Sequence, residues 1–220
     1  MKKIILFGTG QFSEVATFYL ENFSDEIIEA YAVHEKYITE ESFKGKPLVP
    51  FEKVKEKYPT QKYKLFVPFN YNKVNRIRES LYQDGLRMGY EFASYIDPYC
   101  RCNADQVGEN CFILENNTIQ PYSKIGNNVI IWSGNHIGHH SLISDHCFIS
   151  SHVVVSGGVQ IGENSFLGVN STIRDNIKIG YSNVIGAGAI INYSNIEGGW
   201  EGEGNIDMDP LFTDSDNGDY

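Results

Sequence analysis

Apolar and polar positions in the first half of the chain follow the periods of short strands and amphipathic helices. Short apolar runs at residues 3–8, 27–33 and 64–69 indicate buried strands. Segments 12–22 and 72–90 carry apolar residues at helical spacing. The alternation predicts a small parallel sheet with helices packed on it, over residues 1–96.

The second half of the chain changes to a period of six. From Val107 onward, fifteen consecutive hexapeptides each begin with Ile, Val or Leu, and their fifth places are mostly small or modestly apolar. An aliphatic column at a fixed period indicates a repeat protein. Three hexapeptides make a triangular coil of 18 residues, and successive coils stack about 4.8 Å apart. The pattern predicts a β-helix of five coils over residues 97–196.

The hexapeptide column resembles the left-handed parallel β-helix of bacterial acyltransferases. The segments GTGQFSEVA and YNKVNRIRE before it resemble the N-terminal domain of the PglD/NeuD-like sugar acetyltransferase family. The resemblance covers residues 1 to about 193. It implies a Rossmann-like α/β domain followed by a left-handed parallel β-helix, and a homotrimer with active sites between neighbouring helices. It also implies acetyl transfer from acetyl-CoA to an amine of a nucleotide-linked (dTDP or UDP) amino sugar.

Five of the six histidines lie between residues 136 and 152. In a coil of 18 residues, His140, His146 and His152 occupy the same place in three successive hexapeptides. They therefore point in three different directions and cannot converge on a metal ion within one chain. We expect no metal, and a zinc site shared between subunits is the alternative.

His139 and Gly157 are 18 residues apart, so they are predicted to lie one above the other. A histidine can act as general base, and an unobstructed glycine N–H can stabilise an oxyanion. The resemblance assigns the same two residues these roles in acyl transfer. It also places a glutamate directly after the histidine, where this chain has His140. We include His140 as a catalytic candidate, with Asp145 or a group of a neighbouring subunit as alternatives for orienting His139. An exposed histidine at a subunit contact is the competing interpretation of His139.

Small or short residues form a second column at Ser151, Val169 and Ala187, again 18 apart. The resemblance places the pantetheine arm of acetyl-CoA beside Val169, Ala187 and Gly188, and its thioester oxygen at the N–H of Gly157. Spacing alone is equally compatible with an unspecialised surface. Cys111 and Cys147 fall at fifth places and are predicted core residues, which favours direct attack on the thioester.

The glycine turn GTGQFSE follows the first strand and precedes a helix, so its backbone can approach phosphate. About 95 residues are too few for a double Rossmann unit, which argues against a nicotinamide dehydrogenase. In the family that it resembles, this domain holds the nucleotide of the sugar substrate, beside the glycine turn and the end of the second strand. The predicted substrate-binding residues are Gly8, Gly10, Gln11, His34, Glu35, Asn70 and Asn72.

The formal net charge of −10 argues against a nucleic-acid partner. No apolar run approaches the length of a membrane span, so we expect a cytoplasmic protein without a membrane partner. Residues 197–220 carry eight acidic residues and no basic ones, and they resemble the closing segment of right-handed β-helices. This tail is expected to cover the open end of the helix through Trp200 and Phe212. The alternative functions are O-acetylation of a sugar such as sialic acid, and binding by a non-catalytic trimeric β-helix.

Overall fold

The computed structural model describes residues 2–192. The N-terminal sheet has the strand order β3-β4-β2-β1-β5, parallel except for β3 beside β4. The acidic tail, with the cap expected from Trp200 and Phe212, lies outside the described residues. The strands are Lys3–Phe7 (β1), Ile28–Val33 (β2), Ser42–Phe43 (β3), Lys46–Pro50 (β4) and Tyr63–Phe66 (β5), and the helices are Gln11–Phe23 (α1), Val54–Lys57 (α2) and Arg76–Met88 (α3).

The helix predicted over residues 72–90 is shorter than its apolar spacing suggests. α3 begins at Arg76, because Lys73, Val74 and Asn75 have φ angles of 52°, 48° and 65° and form a left-handed turn. It ends at Gly89, whose φ of 86° suits glycine at a helix C-terminus. No helix among residues 2–192 is long and apolar enough to cross a membrane.

The rest of the described chain is a left-handed parallel β-helix, which confirms the predicted fold class. Its two-residue strands form three sheets, and each strand pairs in parallel with the strand one coil away, as Thr118 does with His136. Sheet 1 contains Tyr95–Ile96 (β6), Phe112–Ile113 (β9), Ile130–Ile131 (β12), Phe148–Ile149 (β15), Phe166–Leu167 (β18) and Val184–Ile185 (β21).

Sheets 2 and 3 complete the triangular coil. Sheet 2 contains Arg101–Cys102 (β7), Thr118–Ile119 (β10), His136–Ile137 (β13), Val154–Val155 (β16), Thr172–Ile173 (β19) and Ile190–Ile191 (β22). Sheet 3 contains Gln106–Val107 (β8), Lys124–Ile125 (β11), Leu142–Ile143 (β14), Gln160–Ile161 (β17) and Lys178–Ile179 (β20). We call the turns after sheets 1, 2 and 3 the first, second and third corners.

The fourth place of every hexapeptide from Asn110 to Gly188 has a positive φ angle. Asparagine, glycine and histidine tolerate this left-handed conformation better than most residues, and they occupy most of these places. His140, His146 and His152, with φ angles of 59°, 64° and 59°, are therefore turn residues at the second, third and first corners. Three corners of one coil cannot present them to one metal ion, as predicted.

The first places fill the interior of the β-helix, and Cys111 and Cys147 lie buried among them. Burial raises the pKa of both thiols to about 12, so they are core residues as predicted. The outer face of sheet 1 is also buried, because Phe112 and Phe148 pack against Ile4 and Leu6 of the N-terminal sheet and against α1. The N-terminal domain thus sits on sheet 1.

Arg78 of α3 fixes this arrangement at the third corner. Its side chain is fully buried and donates hydrogen bonds to the carbonyl oxygens of Asn128, His146 and Cys147, and to three further oxygens beside α3. Asn75 donates to two more carbonyl oxygens of the same corner. Burial lowers the pKa of Arg78 to about 9, but the surrounding oxygens supply acceptors for its guanidinium.

Candidate active site

The imidazole of His139 lies directly over Gly157 at the second corner. A Cβ added at Gly157 would lie 2.7 Å from Cε1 and 2.9 Å from Nε2 of His139. Any larger residue at position 157 would therefore displace the ring. The carbonyl of His139 accepts the N–H of Gly158 at 2.9 Å, which fixes the two turns against each other.

The backbone N–H of Gly157 is available for a ligand. Among residues 2–192 it has no hydrogen-bond acceptor, and the residue is only half-buried. The N–H of His139 itself is occupied, since it donates to Oε1 of Gln120 at 2.9 Å. The second corner thus presents one exposed imidazole and one unpaired donor side by side, which is the combination that acyl transfer requires.

His140 contacts His139 through the ring nitrogens. The two Nδ1 atoms are 3.0 Å apart, so one ring donates and the other accepts. The ring of His140 also packs on Tyr122, with centroids 4.8 Å apart. His140 therefore occupies the place beside the candidate base where the resemblance implies a glutamate.

Asp145 does not orient His139, which corrects one of the alternatives considered from the sequence. It lies at the third corner, where its carboxylate accepts hydrogen bonds from the N–H and side-chain amide of Asn127 at 2.7 and 3.2 Å. His146 lies at the same corner, is buried, and pairs with Asn128 at 2.8 Å. Burial lowers the pKa of His146, which favours its neutral form. Residues 2–192 contain no group of three His, Cys, Asp or Glu side chains placed to hold a metal ion.

Val169 and Ala187, two of the predicted cofactor-binding residues, lie one coil apart at the first corner. Both are exposed, and neither N–H has an acceptor among the described residues. The N–H of Gly188 is different, because it donates to the carbonyl of Val169 at 2.8 Å. Gly188 can therefore offer a ligand its carbonyl oxygen but not its N–H. A row of free N–H groups suits the amide oxygens of an extended chain such as pantetheine.

A cavity of about 810 Å³ lies at the carboxyl ends of β1, β2 and β5. Gln11 and Phe12 at the start of α1 line this region, and their N–H groups have no acceptor among the described residues, as is typical of phosphate sites. Gly8 has a φ of 110°, and Ser13 stands in the third place of the glycine motif with its hydroxyl donated to the carbonyl of Phe7. Five of the predicted substrate-binding residues line the cavity: Gly8, Gly10, Gln11, His34 and Asn70.

Glu35 and Asn72 do not line this cavity. Glu35 is exposed and ion-paired with Lys53 at 2.6 Å, and it borders shallow neighbouring depressions. The N–H of Asn72 donates to Oδ1 of Asn70, so Asn72 acts on the cavity only through its neighbour. Both remain weaker candidates than the lining residues.

Three cavity features were missed from the sequence. Lys36 and Tyr37 line the cavity, with the Lys36 ammonium 4.9 Å from the Tyr37 ring centroid. The carboxylate of Glu52 forms a hydrogen bond with Nδ1 of His34 at 2.8 Å and accepts a hydrogen bond from the N–H of Glu35 at 3.0 Å. Burial acts to raise the pKa of Glu52, but hydrogen bonds from its own backbone, His34 and Glu35 outweigh it, so the pKa is lowered. A run of charged and aromatic residues after β2 signalled Lys36 and Tyr37, whereas nothing in the pattern singled out Glu52, which follows β4.

A second cavity of about 430 Å³ connects the N-terminal domain to the first corner. Phe12 and Asn70 line both cavities, and Val169 and Ala187 line the second. Most of its remaining lining is aromatic: Tyr71, Trp132, Phe148 and Phe166. This second cavity, which we call the connecting groove, lies between the predicted nucleotide site and the predicted cofactor residues.

His139 does not reach this groove within the same chain. The second corner lies between sheets 2 and 3, so it is the corner opposite sheet 1 and the N-terminal domain. The candidate base and the candidate substrate cavities are therefore on opposite sides of one chain.

Comparisons with known proteins agree with this architecture. Residues 106–139, 122–157 and 140–175 match the bacterial transferase hexapeptide family (six repeats). No curated protein sequence matches the chain. Solved structures do match in fold, and the three described next are 14–23% identical.

One similar structure is the acetyltransferase domain of PglB from Neisseria gonorrhoeae, 21% identical, with a TM-score of 0.72 over 87% of this chain and 91% of that chain. A second is PerB from Caulobacter crescentus in complex with CoA and GDP-perosamine, 23% identical, with a TM-score of 0.75 over 87% and 89%. A third is WeeI from Acinetobacter baumannii, 14% identical, with a TM-score of 0.64 over 86% and 96%.

These matches show the fold of the chain. It has the fold of the PglD/NeuD-like sugar acetyltransferases, and its β-helix is built from the hexapeptide repeats of bacterial transferases. The resemblance inferred from the sequence is confirmed.

Proposed function

We propose that the protein is an N-acetyltransferase that moves the acetyl group of acetyl-CoA to an amine on a nucleotide-linked amino sugar. The observation that carries the proposal is the His139 ring stacked on Gly157, whose backbone N–H has no acceptor in the described part of the chain. The CoA and nucleotide-sugar complexes of its structural relatives support it. The cytoplasmic location expected from the sequence stays a prediction.

His139 accepts the proton of the attacking amine in this mechanism. The reaction needs a free lone pair on Nε2, so Nδ1 must carry the other proton and donate it to Nδ1 of His140. His140 is then neutral and protonated on Nε2. It fixes the tautomer of His139 and strengthens its hydrogen bond when His139 becomes positively charged.

Gly157 stabilises the negative charge that develops on the thioester oxygen during acetyl transfer. Its N–H would donate to the thioester oxygen, which gains negative charge as the amine adds, and His139 would return its proton to the leaving thiolate. Removing one such donor typically reduces kcat by about 10²- to 10³-fold. The buried Cys111 and Cys147 are held as thiols in the core, so direct attack by the amine needs no acyl-enzyme.

A homotrimer completes this site. His139 faces away from its own connecting groove, whereas Val169 and Ala187 border that groove. In a trimer packed through the β-helix, the second corner of one subunit would face the first corner of its neighbour. The nucleotide sugar would lie in the cavity and groove of one subunit, within reach of the neighbour's imidazole.

Thiol release from acetyl-CoA tests the activity. We expect release that depends on UDP- or dTDP-linked amino sugars and falls by about 10²- to 10⁴-fold in His139→Ala. His136→Ala, in a strand of sheet 2 and outside the corners, is the matched histidine control. Release only with hydroxyl acceptors such as sialic acid would establish O-acetylation instead. No release with any acceptor would favour the non-catalytic binding module.

Mixed trimers test the shared site. His139→Ala removes the base, and Ala187→Trp blocks the exposed first corner, so each variant alone should be inactive. Trimers assembled from both chains should regain activity, because some interfaces combine an intact His139 with an intact Ala187. Mixtures as inactive as the separate variants, or a monomer mass by light scattering, would rule out a site between subunits.

A further inference from the structure

Cys100 and Cys102 form a close thiol pair that the proposed acetyl transfer does not use. The N–H of Cys102 donates to the carbonyl of Cys100 at 3.1 Å, closing a three-residue turn that brings the ends of its segment together. Both side chains pack against the interior apolar column, so the two thiols lie on the same side of this turn.

The pair lies at the end of the β-helix, where solvent can reach it. β7, Arg101–Cys102, is the terminal strand of sheet 2 and pairs only with β10. Both side chains are half-buried against the end of the interior column. In contrast, Cys111 and Cys147 are fully buried in the interior column.

We propose that Cys100 and Cys102 are a thiol–disulfide exchange site for low-molecular-weight disulfides such as oxidised glutathione. The Cys102 thiolate attacks one sulfur of the oxidant, its S–S bond breaks, and one glutathione thiolate leaves. Cys100 then gives up its proton to that thiolate and attacks the Cys102 sulfur, releasing the second glutathione. The two cysteines lose two electrons and form one intramolecular disulfide, and the oxidant becomes two thiols.

The two cysteines have different roles in this sequence. The hydrogen bond from Cys100, which outweighs the opposing effect of burial, lowers the pKa of Cys102 to about 6, while the same contact raises the pKa of Cys100. Cys102 is therefore the attacking thiolate at neutral pH, and Cys100 is the resolving thiol.

Mass spectrometry of the native full chain after treatment with oxidised glutathione tests the proposal. Wild type should lose two hydrogens at this peptide and retain no glutathione. Cys100→Ser should stop at a mixed disulfide on Cys102, and Cys102→Ser should react more slowly by on the order of tenfold. Cys111→Ser is the matched control and should behave as wild type.

Two outcomes would overturn the proposal. One is wild type that keeps bound glutathione on Cys102, because then Cys100 does not resolve it. The other is equal reaction rates of Cys100→Ser, Cys102→Ser and wild type, because then neither thiol is distinguished. Since no acetyl donor or sugar is present, neither outcome depends on the acetyltransferase activity, and folding of each variant can be checked by circular dichroism.

Discussion

The imidazole of His139 occupies the space that a side chain at position 157 would need, so the position of this ring depends on a glycine at 157. A Cβ at Gly157 would lie within 3.2 Å of three ring atoms of His139. Residues one coil apart on a β-helix always stack, and His152 also stacks on Gly134 at the first corner. The N–H of Gly134 donates to the carbonyl of Glu115, whereas the N–H of Gly157 has no acceptor among residues 2–192. Position and residue type together make the second corner the candidate site.

Gly157→Ala should separate the effect of the His139 ring position from the effect of the Gly157 N–H. Gly157 does not have a positive φ, so alanine keeps the backbone and its N–H but pushes the His139 ring aside. Misplacing a catalytic group by about 1 Å can cost roughly 10²-fold, so we expect kcat to fall by that order. Gly180→Ala at the third corner is the control, because only the Asn183 side chain is near, at 3.3 Å. A Gly157→Ala variant with full activity would mean that His139 does not act from this position.

His140→Asn and His140→Asp should reveal what the neighbouring imidazole contributes. Both substitutes tolerate the left-handed φ of 59° and place an oxygen where His140 has Nδ1. The aspartate supplies a carboxylate, which stabilises the charged His139 better than a neutral amide does. We therefore expect His140→Asp to keep or exceed wild-type kcat and His140→Asn to lose roughly tenfold. Equal kcat for the two variants would show that charge beside His139 is unimportant. Steady-state kinetics at saturating acetyl-CoA makes the comparison.

The repeat and the fold class could be predicted from the sequence because each hexapeptide has the same pattern of apolar and turn residues. An inward aliphatic residue at each first place determines the coil, and 18-residue spacing then brings His139 above Gly157 without any knowledge of the rest. The fourth places have positive φ angles, and the sequence shows this as recurring Asn, Gly and His residues. His140 and His146 are therefore ordinary turn residues of this pattern.

Contacts between the two domains could not be predicted in this way. Arg78 looks like one more polar residue of an amphipathic helix, and its acceptors are carbonyl oxygens, which leave no trace in side-chain patterns. The connecting groove likewise depends on how α1 and the residues after β5 meet the first corner. His139 and the cavity lie on opposite sides of the chain because the N-terminal domain covers sheet 1. The hexapeptide spacing does not specify which of the three sheets is covered.

His146 should make the fold sensitive to acid. Burial lowers its pKa in the folded state, while the unfolded chain takes up a proton near pH 6.5, the ordinary value. Below about pH 6.5 the unfolded state binds more protons, so the free energy of unfolding falls by at most about 1.4 kcal/mol per pH unit for this one group. Above that pH the contribution is constant.

His146→Asn should remove this acid sensitivity. Asparagine suits the φ of 64° and can accept the hydrogen bond of Asn128. Urea unfolding at pH 7.5 and 5.5 should show a smaller loss of stability for His146→Asn than for wild type. His152→Asn, an exposed turn residue with a φ of 59°, should keep the wild-type loss. An unchanged pH dependence in His146→Asn would show that His146 is not the group responsible.

Arg78 should be the most sensitive single residue of the domain contact. Arg78→Met leaves the buried carbonyls of Asn128 and His146 without a donor, and the carbonyl of Cys147 with only the N–H of Ile130. Leaving a buried acceptor unsatisfied typically costs about 1–3 kcal/mol, so we expect a loss of at least this size in denaturant unfolding. Arg78→Lys keeps the charge but has three donors instead of five, so it should recover only part of that stability.

Arg87→Met is the matched control, because Arg87 is an exposed arginine of the same helix paired only with Asp84. Its effect should stay within about 0.5 kcal/mol. If Arg78→Lys proved as stable as wild type, a single positive charge would suffice and the forked geometry of the guanidinium would be irrelevant. If Arg78→Met cost no more than Arg87→Met, the burial of this side chain against the third corner would not hold the two domains together.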